Sequence, residues 1–145
     1  MKIKLLMVVA IAGLAWSADD AEAIRAALRG FNEATRKAEP RQLRAFFTSD
    51  ADYRDASGVL KGPDALVSLF ANRQVWSERT PPMLQEQSIR LAGPSAAFVD
   101  AQLVQYGSTI VKSVIPVVLL LKKEADVWKI ASWRIAACPM QLTSR

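Results

Sequence analysis

From Met83 onward the chain reads as a train of β-like segments broken only by short turns, and everything that reads as helix comes before it. The segments are Met83–Leu91, Ala96–Tyr106, Thr109–Lys122 and Val127–Ala137. Gly93-Pro94, Gly107-Ser108 and Glu124-Ala125-Asp126 separate them. Connections this short join antiparallel neighbours, because a parallel crossover needs a dozen or more residues. Val114 to Leu121 is apolar almost throughout and rich in β-branched residues, which predicts a strand inside the sheet rather than at its edge.

Ahead of this meander, Ile24, Leu28, Phe31 and Ala34 or Ala38 recur at helical spacing, with Asp19 or Asp20 available as a cap. Pro40 suits the first turn of a short second helix ending near Phe46 and Phe47. Asp52 to Ala56 reads as a short strand that turns at Ser57-Gly58 and returns through Val59 and Leu60. Gly62-Pro63 opens a third helix whose face is Leu66, Leu69, Phe70, Arg73 and Trp76, ended by Pro81-Pro82. Helices first and a meander after them predict an α+β fold, with the helices on one face of an antiparallel sheet and a pocket between the layers.

The first residues have the three parts of a secretory leader. Lys2 and Lys4 are the charged start, Leu5 to Ala15 the apolar run, and Ala15 with Ser17 the small pair that fits cleavage after Ser17. The apolar run falls short of the roughly 20 residues that span a bilayer. The expected layout is a leader over 1–17 and one domain over 18–145, periplasmic or secreted, with no stable membrane anchor after cleavage. Removing the leader takes two cations, so the net charge falls from +5 to +3. Arg25, Arg29, Arg36, Lys37, Arg41 and Arg44 gather near the start, but Asp19, Asp20, Glu22, Glu33 and Glu39 interleave with them. That pattern predicts solvated helical faces and no nucleic-acid partner.

The chain has no histidine and one cysteine, Cys138. Ser-His and Cys-His machinery and histidine-ligated metals are therefore excluded, as is an intramolecular disulfide. No Asp-x-Asp-x-Asp loop is present for calcium, so no metal and no cofactor is expected.

The first helix, the phrase LRAFFTSDADYRDASGVLKGPDALVSLF from Leu43 to Phe70, and the closing VWKIASWRI from Val127 to Ile135 carry a resemblance. In these and in element order the chain resembles the nuclear transport factor 2-like superfamily, and within it the SnoaL-like, polyketide-cyclase-like and ketosteroid-isomerase-like proteins. The resemblance implies a cone-shaped, cystatin-like roll and a homodimer. It also implies a catalytic candidate. The isomerase branch places its aspartate base at the end of a phrase like A-x-x-x-D, which Ala51 to Asp55 matches. The branch's oxyanion-donating tyrosine falls at Phe31 and its protonated aspartic acid at about Val118. Losing one such donor typically costs about 10²–10³ in rate, so steroid isomerisation by that route is not expected. The cyclase version pairs its aspartate with a histidine, which this chain lacks.

On the same comparison Phe98, Asp100, Gln102, Val104 and Tyr106 face the pocket, with Ala131, Trp133 and Ile135 from the last strand. Asp55 and Asp100 would then be a carboxylate pair able to raise one another's pKa. On the opposite register, Val99, Ala101 and Leu103 face the core and Asp100 and Gln102 are solvated. Asp55 is alternatively a structural carboxylate bonded to Arg54, Arg134 or a turn amide. Tyr53, Trp76 and Trp133 either stack on a ligand or fill the core.

Three functions follow. The first is a carrier or sensor of a small apolar or aromatic molecule, with Tyr53, Gln102, Trp133 and Trp76 as its contacts. The second is an isomerase, cyclase or dehydratase with Asp55 as general base. The third is a dimerising domain built on the sheet's outer face, with Val99, Ala101 and Leu103 as its contacts.

Overall fold

The computed structural model describes residues 12–72, 81–106 and 111–135. Three helices come first: α1 (Ala12–Lys37), α2 (Pro40–Ala45) and α3 (Pro63–Ala71). Six strands form one curved sheet: β1 (Phe47–Asp55), β2 (Gly58–Lys61), β3 (Met83–Leu91), β4 (Ala96–Tyr106), β5 (Val111–Glu124) and β6 (Val127–Ile135). The order across the sheet is β2-β1-β6-β5-β4-β3. β5 lies inside it, as its apolar run requires.

The α+β layering is as expected, but the sheet is mixed rather than wholly antiparallel. β1 runs parallel to β6, with Tyr53 opposite Trp133 and Arg54 opposite Arg134. The short-connection argument applies only to consecutive strands, and β1 and β6 are joined through the whole meander. β1 is also longer than expected, starting at Phe47. Thr48 to Asp50 belong to the strand beside a register shift.

The helices cover one face of the sheet. Ile24, Leu28, Phe31 and Ala34 on α1 meet Leu66 and Phe70 on α3 and the inward side chains of the strands. On β4 those inward residues are Ala97, Val99, Ala101 and Leu103; on β5 they are Val117, Leu119 and Leu121. Apolar burial on this scale is the main stabilising term.

Two clasps hold α1 down. Asn32 donates from its amide to the Leu84 carbonyl and accepts from the Leu84 N–H, both at 2.8 Å, which supplies edge strand β3 with the partner it lacks. Asp20 accepts from Lys123 at 2.8 Å and from the Trp128 indole at 3.3 Å. Asp20 is therefore not a cap: α1 already runs through it. Among the described residues no helix is long and apolar enough to cross a membrane.

Candidate functional site

The concave end of β1 carries the first candidate group. Alternation along the strand turns Ala51, Tyr53 and Asp55 to the helix side and Asp52 and Arg54 to the outer side. Asp55 opposes Gly58 across a two-residue turn, Ala56-Ser57, and its carboxylate closes that turn. It accepts from the Ser57 N–H at 2.8 Å, the Ser57 hydroxyl at 2.5 Å and the Gly58 N–H at 3.2 Å. A fourth donor, the Tyr53 hydroxyl, reaches it at 3.1 Å.

These donors fix the electrostatics. The Ser57 hydroxyl, helped by the turn amides and Tyr53, holds Asp55 below the usual carboxylate range against the opposing effect of desolvation. Burial pushes the Tyr53 phenol up to about 12, and Asp55 adds to it. At neutral pH the pair is a neutral phenol donating to an ionised, donor-saturated carboxylate. Such a carboxylate is a weak base, the opposite of one tuned upward for proton abstraction.

Deeper in the cone the interior is an aromatic cluster. The Phe31 ring lies 5.2 Å from Phe70 and 5.7 Å from Trp133, and Phe70 lies 4.7 Å from Trp133. Phe47 stacks on Phe70 at 6.1 Å. Trp133 is fully enclosed, and its indole N–H has no hydrogen-bond partner. The Thr35 hydroxyl, one turn beyond Phe31, is also buried without one. Trp133 is thus part of the packed core, with an unsatisfied donor of the kind that costs roughly 1–3 kcal/mol.

Asp100 and Gln102 require correction. Their strand neighbours Val99, Ala101 and Leu103 fill the core, so both polar residues stand on the outer face of β4. The more apolar alternate set takes the helix side because that side alone excludes water. Asp100 accepts from the Ser88 hydroxyl at 2.8 Å and lies 3.9 Å from Arg90. β1 and β4 are three strand spacings apart, about 14 Å, and Asp55 and Asp100 face opposite sides. There is no carboxylate pair. Arg134 does not reach Asp55 either; its guanidinium grips Asp52 through two bonds of 2.9 and 2.8 Å. Trp76 and Cys138 lie outside the described residues. Among the described residues no carboxylate group is arranged to hold a metal ion.

One recess was not anticipated from the sequence. Arg41 and Arg44 of α2 meet Lys129 of β6 around a cleft of about 490 Å³. Residues 85 or more positions apart give no spacing signal, and the two arginines read only as part of a solvated basic helix.

No family model matches the chain, and no curated protein matches it. Solved structures do. A nuclear transport factor 2-like protein with a cystatin-like fold from Novosphingobium aromaticivorans superposes with a TM-score of 0.72 at 14% identity, covering 90% of each chain. A protein of unknown function with a cystatin-like fold from Nostoc punctiforme gives 0.68 at 18% identity, over 81% of this chain and 90% of that one. A ketosteroid isomerase-like protein from Erwinia carotovora atroseptica gives 0.59 at 17% identity, over 81% and 96%. This chain has the nuclear transport factor 2-like, cystatin-like fold. Likeness at these identities speaks for the fold alone, and a shared fold does not carry a shared activity.

Within that fold the isomerase positions take definite places. Phe31 is buried in the aromatic cluster. Val118 lies on the outer face, opposite Asp100 and Arg134. Its inward neighbours Val117 and Leu119 are apolar too. Neither position offers an oxyanion donor.

Proposed function

We propose that this is an exported, non-catalytic binding protein that holds a small apolar or aromatic molecule at the concave end of β1. One observation carries the reading. The Tyr53 hydroxyl and the ionised Asp55 form a hydrogen-bonded pair at the edge of an aromatic interior. A polar handle on an apolar wall is what a small-molecule site uses to orient its ligand. The enzyme alternative lacks two supports: Asp55 is held below the usual carboxylate range, and Phe31, Val117 and Leu119 are not donors.

Native mass spectrometry of protein from an exporting host tests this. Adduct mass that disappears on denaturation, and falls away in Tyr53→Phe, supports a binding site. Turnover of a carbonyl substrate that Asp55→Asn abolishes without unfolding would overturn the non-catalytic assignment. Export is tested on the same sample, whose mature mass should begin at Ala18; an intact Met1 terminus would overturn it.

A homodimer is the second reading, favoured by the outer sheet face. There Phe98 opposes Leu120, with Phe98 40% and Val114 45% exposed. Val99, Ala101 and Leu103, expected on the pairing face, are core; the outer apolar strip replaces them.

A further inference from the structure

The cleft between α2, the start of β1 and the β5–β6 turn has a chemistry unrelated to the concave end. Arg41, Arg44 and Lys129 line it, with Phe47, Ser49 and a single carboxylate, Glu124. Ser49 lies near the start of β1 and the Tyr53–Asp55 pair at its other end.

Two of the three cations already have carboxylate neighbours. Arg44 pairs with Asp64, whose side chain is 82% exposed, and Lys129 stands 3.6 Å from Glu124. Exposed pairs of this kind hold little, about 0–1 kcal/mol each, so they do not bar an incoming anion. Arg41 makes no ion pair with any described residue and leaves its guanidinium fork available. Three cations from two separate elements therefore surround one recess, and Ser49 stands among them. Arginine forks and a lysine point charge together are the usual means of holding a phosphate group. The volume of about 490 Å³ exceeds what a bare phosphate needs and leaves room for a small organic body against Ala45 and Pro63.

We propose that this cleft is a binding site for a small phosphomonoester, its phosphate held by Arg41, Arg44 and Lys129 and its organic part resting on the apolar floor.

Calorimetric titration of the purified protein with phenyl phosphate, inorganic phosphate and uncharged phenol tests it. Phenyl phosphate should bind saturably at about 1 mM or tighter, and more weakly as salt is raised. Inorganic phosphate should bind less tightly, and phenol not at all. Arg41→Ala and Lys129→Ala should each weaken phenyl phosphate at least tenfold, with circular dichroism confirming the fold; Arg41→Gln is the fallback should Arg41→Ala unfold. Arg29→Ala removes the same charge from a different face, where Arg29 pairs with Glu22, and should leave affinity unchanged. No saturation by a folded protein at millimolar phenyl phosphate would overturn the site. So would an equal loss in Arg29→Ala, which would mean diffuse charge alone. Inorganic phosphate binding as tightly as phenyl phosphate would overturn the ester assignment.

Discussion

At the residue scale the clearest charged contact is Asp52 with Arg134. The two side chains are 27% and 37% exposed and lock together through parallel bonds. The Arg134 guanidinium, with Ser132 and Arg54 helping, holds Asp52 below its ordinary 3.8 against desolvation. A carboxylate depressed in the folded state contributes stability above its unfolded pKa and loses it as pH falls through the folded value. Asp52→Asn should therefore cost about 1–2 kcal/mol near neutral pH, a charged hydrogen bond discounted for partial exposure. The gap from wild type should shrink below pH 3.8. Urea unfolding at several pH values checks this, and a gap of constant size down to the acid limit would refute it. Asp52 also shows what the sequence conceals. Asp52, Arg54 and Asp55 are adjacent acids and bases in a phrase that resembles a catalytic one, yet strand alternation sends Asp52 outward to Arg134 and Asp55 inward to its own turn. The A-x-x-x-D phrase marks where a strand ends, and a carboxylate there closes a hairpin whether or not it catalyses.

At the element scale the legible parts were those written in periodicity. The α1 stripe, the three helices and the four late strands follow from side-chain spacing; the described part of α3 ends at Ala71, short of the face expected to run on to Arg73 and Trp76, and α1 begins before its expected cap at Asp19 or Asp20. The parallel β1–β6 pair and the register of β4 were not legible, because neither depends on local pattern. Pairing between strands about 80 residues apart is decided by packing, and a half-polar strand such as β4 faces whichever side its helices cover. The end of α1 carries a detail of the same kind. Ala38, read as part of the apolar stripe, instead takes φ 52°. The Glu39 N–H reaches back to the Ala34 carbonyl at 3.2 Å and the Ala38 N–H to Thr35 at 3.1 Å, a Schellman closure. Glycine is the favoured residue at that position, since a left-handed backbone costs an L-residue roughly 1–2 kcal/mol. Ala38→Gly should therefore stabilise the protein, by about 1 kcal/mol once the greater unfolded-state freedom of glycine is counted. A thermal melt reads it directly, and a lower melting temperature would contradict the closure.

At the scale of the whole molecule, the question is what the outer face of the sheet is for. The helices cover one side, and the other presents Phe98, Leu120, Val118, Pro116 and Val114 along the antiparallel strands β4 and β5. Water contact with such a strip is unfavourable, and a second copy would relieve it on both chains at once. Two substitutions on one strand separate this from core packing. Leu103 is 4% exposed and faces the helices. Leu103→Glu places a charge in the core and should prevent folding rather than dissociate anything. Phe98, five residues away on the opposite face, touches none of that core, and Arg90 lies over its ring at 5.9 Å. On the proposed pairing, wild type should run as a dimer in sedimentation, and Phe98→Glu should fold with little change in stability and run as a monomer. If wild type is itself monomeric, the pairing role fails and the strip is bare surface. If Phe98→Glu stays dimeric, the contact lies elsewhere. The contrast between the variants makes the result readable, since only one of them should lose its circular dichroism signal.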